Sequence, residues 1–162
     1  MGSIASAYVK IEGITGECQD AEHKGWIDVL NFRYSVSQSS SASVGGGIGV
    51  SRASFGVLSF IHYLDRATPM LFRYCASGRH IPKVILCAYR GGDRPTEYLR
   101  ITLADAVIVR AGPYAFAGTA RTRETVEISY AHIKIEQRRR HPSGVAGPAV
   151  TAAWNVKQNM EA

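Results

Sequence analysis

Two cysteine–histidine pairs, Cys18 with His23 and Cys75 with His80, share the spacing Cys-x4-His. Thiolate and imidazole are zinc ligands, and four of them could complete a tetrahedral site. The spacing is looser than the paired cysteines of structural zinc sites, and Cys75 falls on the apolar stripe of an expected helix. Both cysteines therefore read as buried structural residues, and no metal is expected. The stretch Gly45-Gly46-Gly47-Ile48-Gly49-Val50-Ser51 invites a phosphate-loop reading. It fails in detail, because no Gly-Lys-Ser/Thr ends it and no helix pattern follows. The dinucleotide pattern fails on glycine spacing. His62, His80 and His132 are isolated, and neither Gly-x-Ser-x-Gly nor His-Glu-x-x-His occurs. The residues thus supply no nucleophile beside a base, and neither catalysis nor a cofactor is expected. Arg138-Arg139-Arg140-His141 is the sharpest charge run. Phosphate contact would be its functional reading, but no aromatic residues are interleaved with it, so a solvated strand end or a subunit contact is preferred.

The elements that must position these groups come from one domain spanning residues 1–162. Hydrophobic residues make up 46% and glycines number 16. With short apolar runs, that mix favours β-structure with many turns over a helical bundle. Lys and Arg number 19 against 13 Asp and Glu, a formal charge of +6. Arginine supplies most of the positive charge, which suits planar contact to carboxylates across an interface. Three cysteines at irregular spacing are no disulfide framework and point to folding in a reducing compartment. The N-terminus shows neither a basic n-region nor an apolar h-region, so no secretory signal is expected, and no apolar run is long enough for a membrane span.

Along the chain, Val9 and Ile11 alternate with Lys10 and Glu12 as a first strand. In the segment Trp26 to Val36, Leu30, Phe32, Tyr34 and Val36 share one face, expected to be core, and Asn31, Arg33 and Ser35 the other. The phase reverses before Leu30, so a β-bulge is expected there. Ser37 to Gly49 reads as a long mobile loop or an extended hairpin. Phe55 to Leu64 is apolar and ambiguous between helix and strand. A short helix is expected from Thr68 or slightly earlier, with Asp65 or Thr68 as cap, Pro69 in its first turn and Gly78 ending it. Val84 to Tyr89 and Tyr98 to Val109 form a hairpin. Glu124 to Ile135 alternates with a phase slip between Tyr130 and Ile133, a second bulge candidate. His141 to Pro148 reads as a turn region before a short strand through Trp154 and Val156. The sum is a mainly β protein: a small closed or nearly closed β-barrel of two packed sheets, with one flanking α-helix.

An ordered series of segments runs through this pattern. It comprises Gly13-Ile14-Thr15-Gly16-Glu17, Ile27-Asp28-Val29-Leu30, Ser35-Val36-Ser37-Gln38, Asp65-Arg66-Ala67-Thr68-Pro69, Ser77-Gly78-Arg79-His80, Tyr98 to Leu103, and Trp154 to Asn159. In that order and spacing the chain, from about Tyr8 to Asn159, resembles the haemolysin co-regulated protein (Hcp) family of the bacterial type VI secretion system. The resemblance implies a tube subunit rather than an enzyme. Six copies would form a ring, and rings would stack into a tube. A contractile sheath on a baseplate would expel that tube behind a spike protein (VgrG). Effector proteins would travel in the lumen. The protein would be made in the bacterial cytoplasm without a signal peptide and secreted from the cell or into a target cell, with no nucleic-acid partner and no membrane insertion. On this chain, Asn31, Arg33 and Ser35 become the candidate lumen and effector-binding face. The ring-stacking loop candidates are Ser39, Ser40, Ser41, Val44, Gly45, Gly46, Gly47 and Gly49. The chain is more basic than many relatives, and Arg33 with the Arg138-Arg139-Arg140 run is expected to give a positive channel or rim that favours acidic effectors. The competing reading, carried by charge alone, is a basic nucleic-acid-binding β-barrel.

Overall fold

A computed structural model describes residues 4–42, 48–50, 52–92, 94–141 and 143–162. The first strands are β1 (Ile4–Ile11), β2 (Ile27–Asp28) and β3 (Asn31–Arg33). An arm follows, made of β4 (Val36–Ser37), β5 (Ser40–Ala42), β6 (Ile48–Val50) and β7 (Ser54–Phe55). The chain continues through β8 (Leu58–Tyr63), helix α1 (Thr68–Ser77) and β9 (Ile81–Arg90). It ends with β10 (Thr96–Tyr114), β11 (Arg123–Arg140), β12 (Ala146–Asn155) and β13 (Met160–Glu161).

The long β10–β11 hairpin runs through both layers of the barrel. Its open end lies in the larger layer, where the strand order is β2-β1-β9-β10-β11-β12-β13. Its turn end lies in the smaller layer, where the free edge of β11 pairs with β8 and β8 pairs with β3. A strand that passes from one sheet to the next must exchange its buried face. Both strands do so at one level. In β10 the buried set changes from Ile101 and Leu103 to Ala106 and Ile108, with exposed Asp105 between them at φ +50°. In β11, Tyr130 and Ala131 are buried in succession. Ladder partners on either side, Ala104 with His132 and Ala106 with Tyr130, keep their register. The phase slip expected between Tyr130 and Ile133 is therefore a kink shared by two strands. The register shift of this ladder lies further along, between Ile108 and Arg110.

The phase reversal at Leu30 also has a different cause from the bulge expected. β2 pairs with β1, whereas β3 pairs with β8. The Val29 N–H donates to the Ala7 carbonyl (2.9 Å) and the Leu30 N–H to the Ile61 carbonyl (2.8 Å). The chain changes sheets there, so the two layers meet at a handover rather than through a continuous ladder, and the barrel is nearly closed. The core assignment of the following face needs correction. Phe32 and Tyr34 pack against the core, but Leu30 is 46% and Val36 56% exposed. β3 is too short to hold four apolar positions on the barrel, and Val36 already belongs to the arm, paired with Phe55.

Between the layers, Val9, Leu86 and Leu103 of the larger sheet meet Leu58, Phe60 and Ile128 of the smaller in one buried cluster. The apolar segment after Phe55 resolves as strand β8, whose Leu58 and Phe60 are fully buried. Helix α1 lies against β10 and buries Leu71 and Tyr74. Ala67 occupies its N-cap without a side-chain bond, Pro69 sits in its first turn, and Gly78 ends it in the left-handed conformation at φ +62°. Asp65 acts one turn earlier, where its carboxylate accepts the Ala67 N–H at 2.8 Å. The final strand is longer than expected, because β12 starts at Ala146, inside the region read as a turn. Pro148 is tolerated there because the other edge of β12 pairs only at Trp154 and Asn155, with β13.

Candidate functional site

Of the three residues read as one polar face, two share a strand. Asn31 and Arg33 stand exposed on β3, opposite Ile61 and Ser59 of β8. Ser35 lies past the end of β3, at the neck of the arm. Its carbonyl accepts the Gly56 N–H at 2.9 Å, and a Cβ on Gly56 would come within 2.4 Å of its hydroxyl oxygen. The ladder extends the Asn31–Arg33 face over three more strands. Ser59 faces Glu127, and Glu127 faces Arg110; Ile61 faces Thr125, and Thr125 faces Gly112. Arg123, two positions before Thr125, is on the same face and exposed. Sequence reading missed Arg110 and Arg123. The alternation of Arg123, Thr125 and Glu127 with Val126 and Ile128 hints at that face, but only the pairing of β11 with β8 and of β8 with β3 brings it to Arg33.

The loop candidates form part of a two-stranded arm, the extended-hairpin form of the reading. Val36 pairs with Phe55 and Ser37 with Ser54; beyond them Ser40 pairs with Val50, Ser41 with Gly49 and Ala42 with Ile48. Ser39 is exposed between the two pairings. Val44, Gly45, Gly46 and Gly47 lie outside the described residues. Arg52 ties the base of the arm to the C-terminal segment, donating to the carbonyls of Val156 (2.6 Å) and Lys157 (2.8 Å). Beside the base, Val36, Phe55, Ile133, Ile135 and Trp154 line an almost wholly apolar groove of about 280 Å³. The Trp154 indole Nε1 is buried there with no hydrogen-bond partner among the described residues. Further large apolar side chains stand exposed elsewhere, among them Phe72 (69%), Phe116 (70%) and Val150 (74%).

The cysteine–histidine pairs do not converge. Burial pushes the Cys18 thiol up to about 11, and the imidazole of His23 is engaged elsewhere. His23 is itself buried; its Nδ1 lies 2.6 Å from Asp20 Oδ1 and its Nε2 3.0 Å from the Tyr89 hydroxyl. Tyr89 continues the chain to Glu97 (3.3 Å), which Arg100 holds in a two-pronged contact at 2.8 and 2.9 Å. Tyr8 stacks on His23 with ring centroids 4.3 Å apart. Burial, with Glu97 beside it, raises the Tyr89 phenol, so Tyr89 keeps its proton, and the hydrogen bonds of this relay fasten residues 18–26 to the barrel. His80 in turn meets Asp105 at 2.9 Å, with His132 at 3.4 Å from the same carboxylate. Among the described residues no group of three or more His, Cys, Asp and Glu is arranged to hold a metal ion. Cys87 is buried and pushed up to about 12, first by burial and then by Glu97, so it is a thiol rather than a reactive thiolate. The most enclosed polar pair is His62 with Glu124, 2.9 Å apart and each about 1% exposed. No helix among the described residues is long and apolar enough to cross a membrane.

The Arg138-Arg139-Arg140 run sits apart from the Arg33 face. Arg138 and Arg140 pair with Ala149 and Ala146 of β12 in the larger layer. That is about 35 Å along β11 from Glu127 at the usual strand rise.

Comparison with known proteins places these features. A sequence model for the family described as "Type VI secretion system effector, Hcp" matches residues 8–137. The protein named hcp1 of Pseudomonas aeruginosa is 34% identical over 157 residues, covering 96% of this chain and 97% of that one. The crystal structure of Hcp1 from Salmonella typhimurium superposes with a TM-score of 0.80 at 35% identity, over 99% of this chain and 100% of that one. A structure described as a type six secretion system protein shares the fold more closely, with a TM-score of 0.92 at 21% identity and coverage of 99% and 100%. The chain belongs to the Hcp family, the secreted tube proteins of the bacterial type VI secretion system.

Proposed function

We propose that six copies of the chain close into a ring and that rings stack into the inner tube, which sheath contraction expels behind a VgrG spike. The carrying observation is the apolar groove at the base of the arm, with its orphaned Trp154 N–H. Burying an N–H without an acceptor is costly, and an exposed apolar groove is a place where a second copy gains binding. A head-to-tail contact that buries this groove in each copy closes into a ring when its rotation allows. The arm, through Ser39, Ser40, Ser41 and Gly49, reaches the next ring; Val44, Gly45, Gly46 and Gly47, proposed for the same contact, lie outside the described residues. Asn31 and Arg33 then line the lumen, where effector proteins travel, and Ser35 shapes the neck between lumen wall and arm. The protein is made in the cytoplasm and leaves by this route. The basic charge does not favour the nucleic-acid reading, since its arginines are divided between separate faces and Tyr63, the aromatic ring beside Arg123, is already covered by Arg121 at 3.8 Å.

Replacing Trp154 by Asp tests the reading. Native mass spectrometry should show six-subunit rings for the parent and monomers for the variant, with far-ultraviolet circular dichroism unchanged. Rings that survive Trp154→Asp would reject the groove as the sealing contact.

A further inference from the structure

We propose that the outer face of the smaller sheet recognises a protein surface of patterned charge, in which carboxylates flank a basic residue. Its place in a ring lumen rests on the proposed function; the recognition itself does not. On the larger sheet some charges are answered within the chain, Glu97 by Arg100, Lys134 by Glu136, and Asp105 by His80 and His132, while Lys10, Lys83 and Arg139 close no ion pair among the described residues. On the outer face of the smaller sheet none of the described charges is answered. Arg33, Arg110 and Arg123 are exposed, and among the described residues none has an ion-pair or side-chain hydrogen-bond partner. Glu127 stands directly across from Arg110 in the ladder, and neither closes an ion pair among the described residues.

The row Arg33–Ser59–Glu127–Arg110 crosses four strands. At the usual strand spacing its two arginines are about 14 Å apart, and Arg123 lies about 13 Å up β11 from Glu127. The separations between the arginines exceed the screening length at physiological salt, about 8 Å, so the three guanidinium groups are met individually rather than as one diffuse field, with Glu127 one strand spacing from Arg110. A uniform polyanion laid along the row would set a negative charge over Glu127. A folded protein surface can place carboxylates over Arg33 and Arg110 and an ammonium over Glu127. Planar guanidinium groups bind carboxylates with two parallel hydrogen bonds, which gives such a surface geometric selectivity. Asn31 and Thr125 add neutral donors and acceptors on the same face.

The probes are a labelled peptide of Glu-Lys-Glu repeats and a labelled single-stranded oligonucleotide of equal length, with binding read by fluorescence anisotropy at low and physiological salt. The test variant combines Arg33→Ser, Arg110→Gln and Arg123→Gln. The control combines Arg66→Gln, Arg73→Gln and Arg139→Gln, which removes the same charge from exposed sites elsewhere. The expected result is loss of peptide affinity by about tenfold or more in the test variant and less than about twofold in the control, as exposed charge pairs of modest individual strength predict. Equal losses in both variants, or no binding of the peptide by the parent, would overturn the proposal. Tighter binding of the oligonucleotide through the same three arginines would overturn it in favour of a nucleic-acid partner. Native mass spectra of each sample separate this proposal from the assembly reading. Rings that ignore the peptide reject only the former, and peptide-binding monomers reject only the latter.

Discussion

The tight approach at Gly16 gives the most demanding test of the fold. Gly16 belongs to the first of the ordered segments, yet its backbone does not need the left-handed region that glycine alone favours. Its constraint is space. A Cβ there would lie 2.4 Å from the Trp26 carbonyl oxygen and 2.8 Å from Ile27 Cγ1. Three hydrogen bonds hold the two segments at that distance: Gly16 N–H to Gly25 O at 2.7 Å, Cys18 N–H to Trp26 O at 2.9 Å, and Gly25 N–H to Cys18 O at 3.0 Å. An alanine at position 16 cannot be relieved by turning a side chain, because the nearest atom is backbone. Overpacking of this kind costs about 1–3 kcal/mol, and each hydrogen bond lost adds about 1 kcal/mol. Gly16→Ala should therefore destabilise the protein by about 3 kcal/mol, or about 6–12 °C in Tm for a domain of this size. The control is Gly112→Ala, whose Cβ would meet only Arg110 Nε at 3.7 Å. Urea denaturation at equilibrium and thermal melts of both variants make the measurement, at a protein concentration where assembly is constant. A Gly16→Ala variant within about 0.5 kcal/mol of the control, which is the usual spread for harmless surface changes, would refute the close-approach argument.

Glu124→Ala should cost about 3–5 kcal/mol because it leaves His62 buried without its partner, whereas the double change His62→Leu with Glu124→Leu should cost clearly less. Chemical denaturation of the two variants decides it, and equal losses would show that packing rather than pairing governs the site. Glu97 is held below its ordinary 4.5, first by its hydrogen bonds to Arg100, so its contribution to stability is complete above that value and is lost as pH falls through the lowered one. The stability difference between the parent and Arg100→Met should accordingly shrink as pH is taken below about 4.5; a gap that stays constant down to acid unfolding would contradict the assignment. Arg52→Ala should loosen the arm by about 1 kcal/mol, the worth of its hydrogen bonds to the Val156 and Lys157 carbonyls. Faster amide exchange confined to β4 and β7 would register that change, and unaltered exchange would show that the arm is held otherwise.

How much of this is legible from the residues depends on the range of the interactions. The helix is readable because Pro69 and Gly78 act locally, and the β9–β10 hairpin because its strands are joined by a short glycine-bearing turn. The phase reversals near Leu30 and after Tyr130 are visible as patterns, but their causes are not. A change of pairing partner and a kink shared by two strands both depend on which strand lies alongside. The same limit hides the charged face, since Arg33, Glu127 and Arg110 are neighbours only through the β3–β8–β11–β10 ladder. Leu30 and Val36 read as core from sequence because alternation reports amphipathicity and not what covers the apolar side. The family is legible in the order of the Gly16, Asp65–Pro69 and Trp154 segments, and each has a structural reason to be there. Gly16 permits close packing, Asp65 shapes the entry to the helix, and Trp154 forms a wall of the groove.

A chain that works as a ring should give, in native mass spectrometry of the purified protein and in negative-stain images of the same sample, a six-subunit particle with an open centre. A monomer at every concentration, with no rings in the images, would overturn the ring.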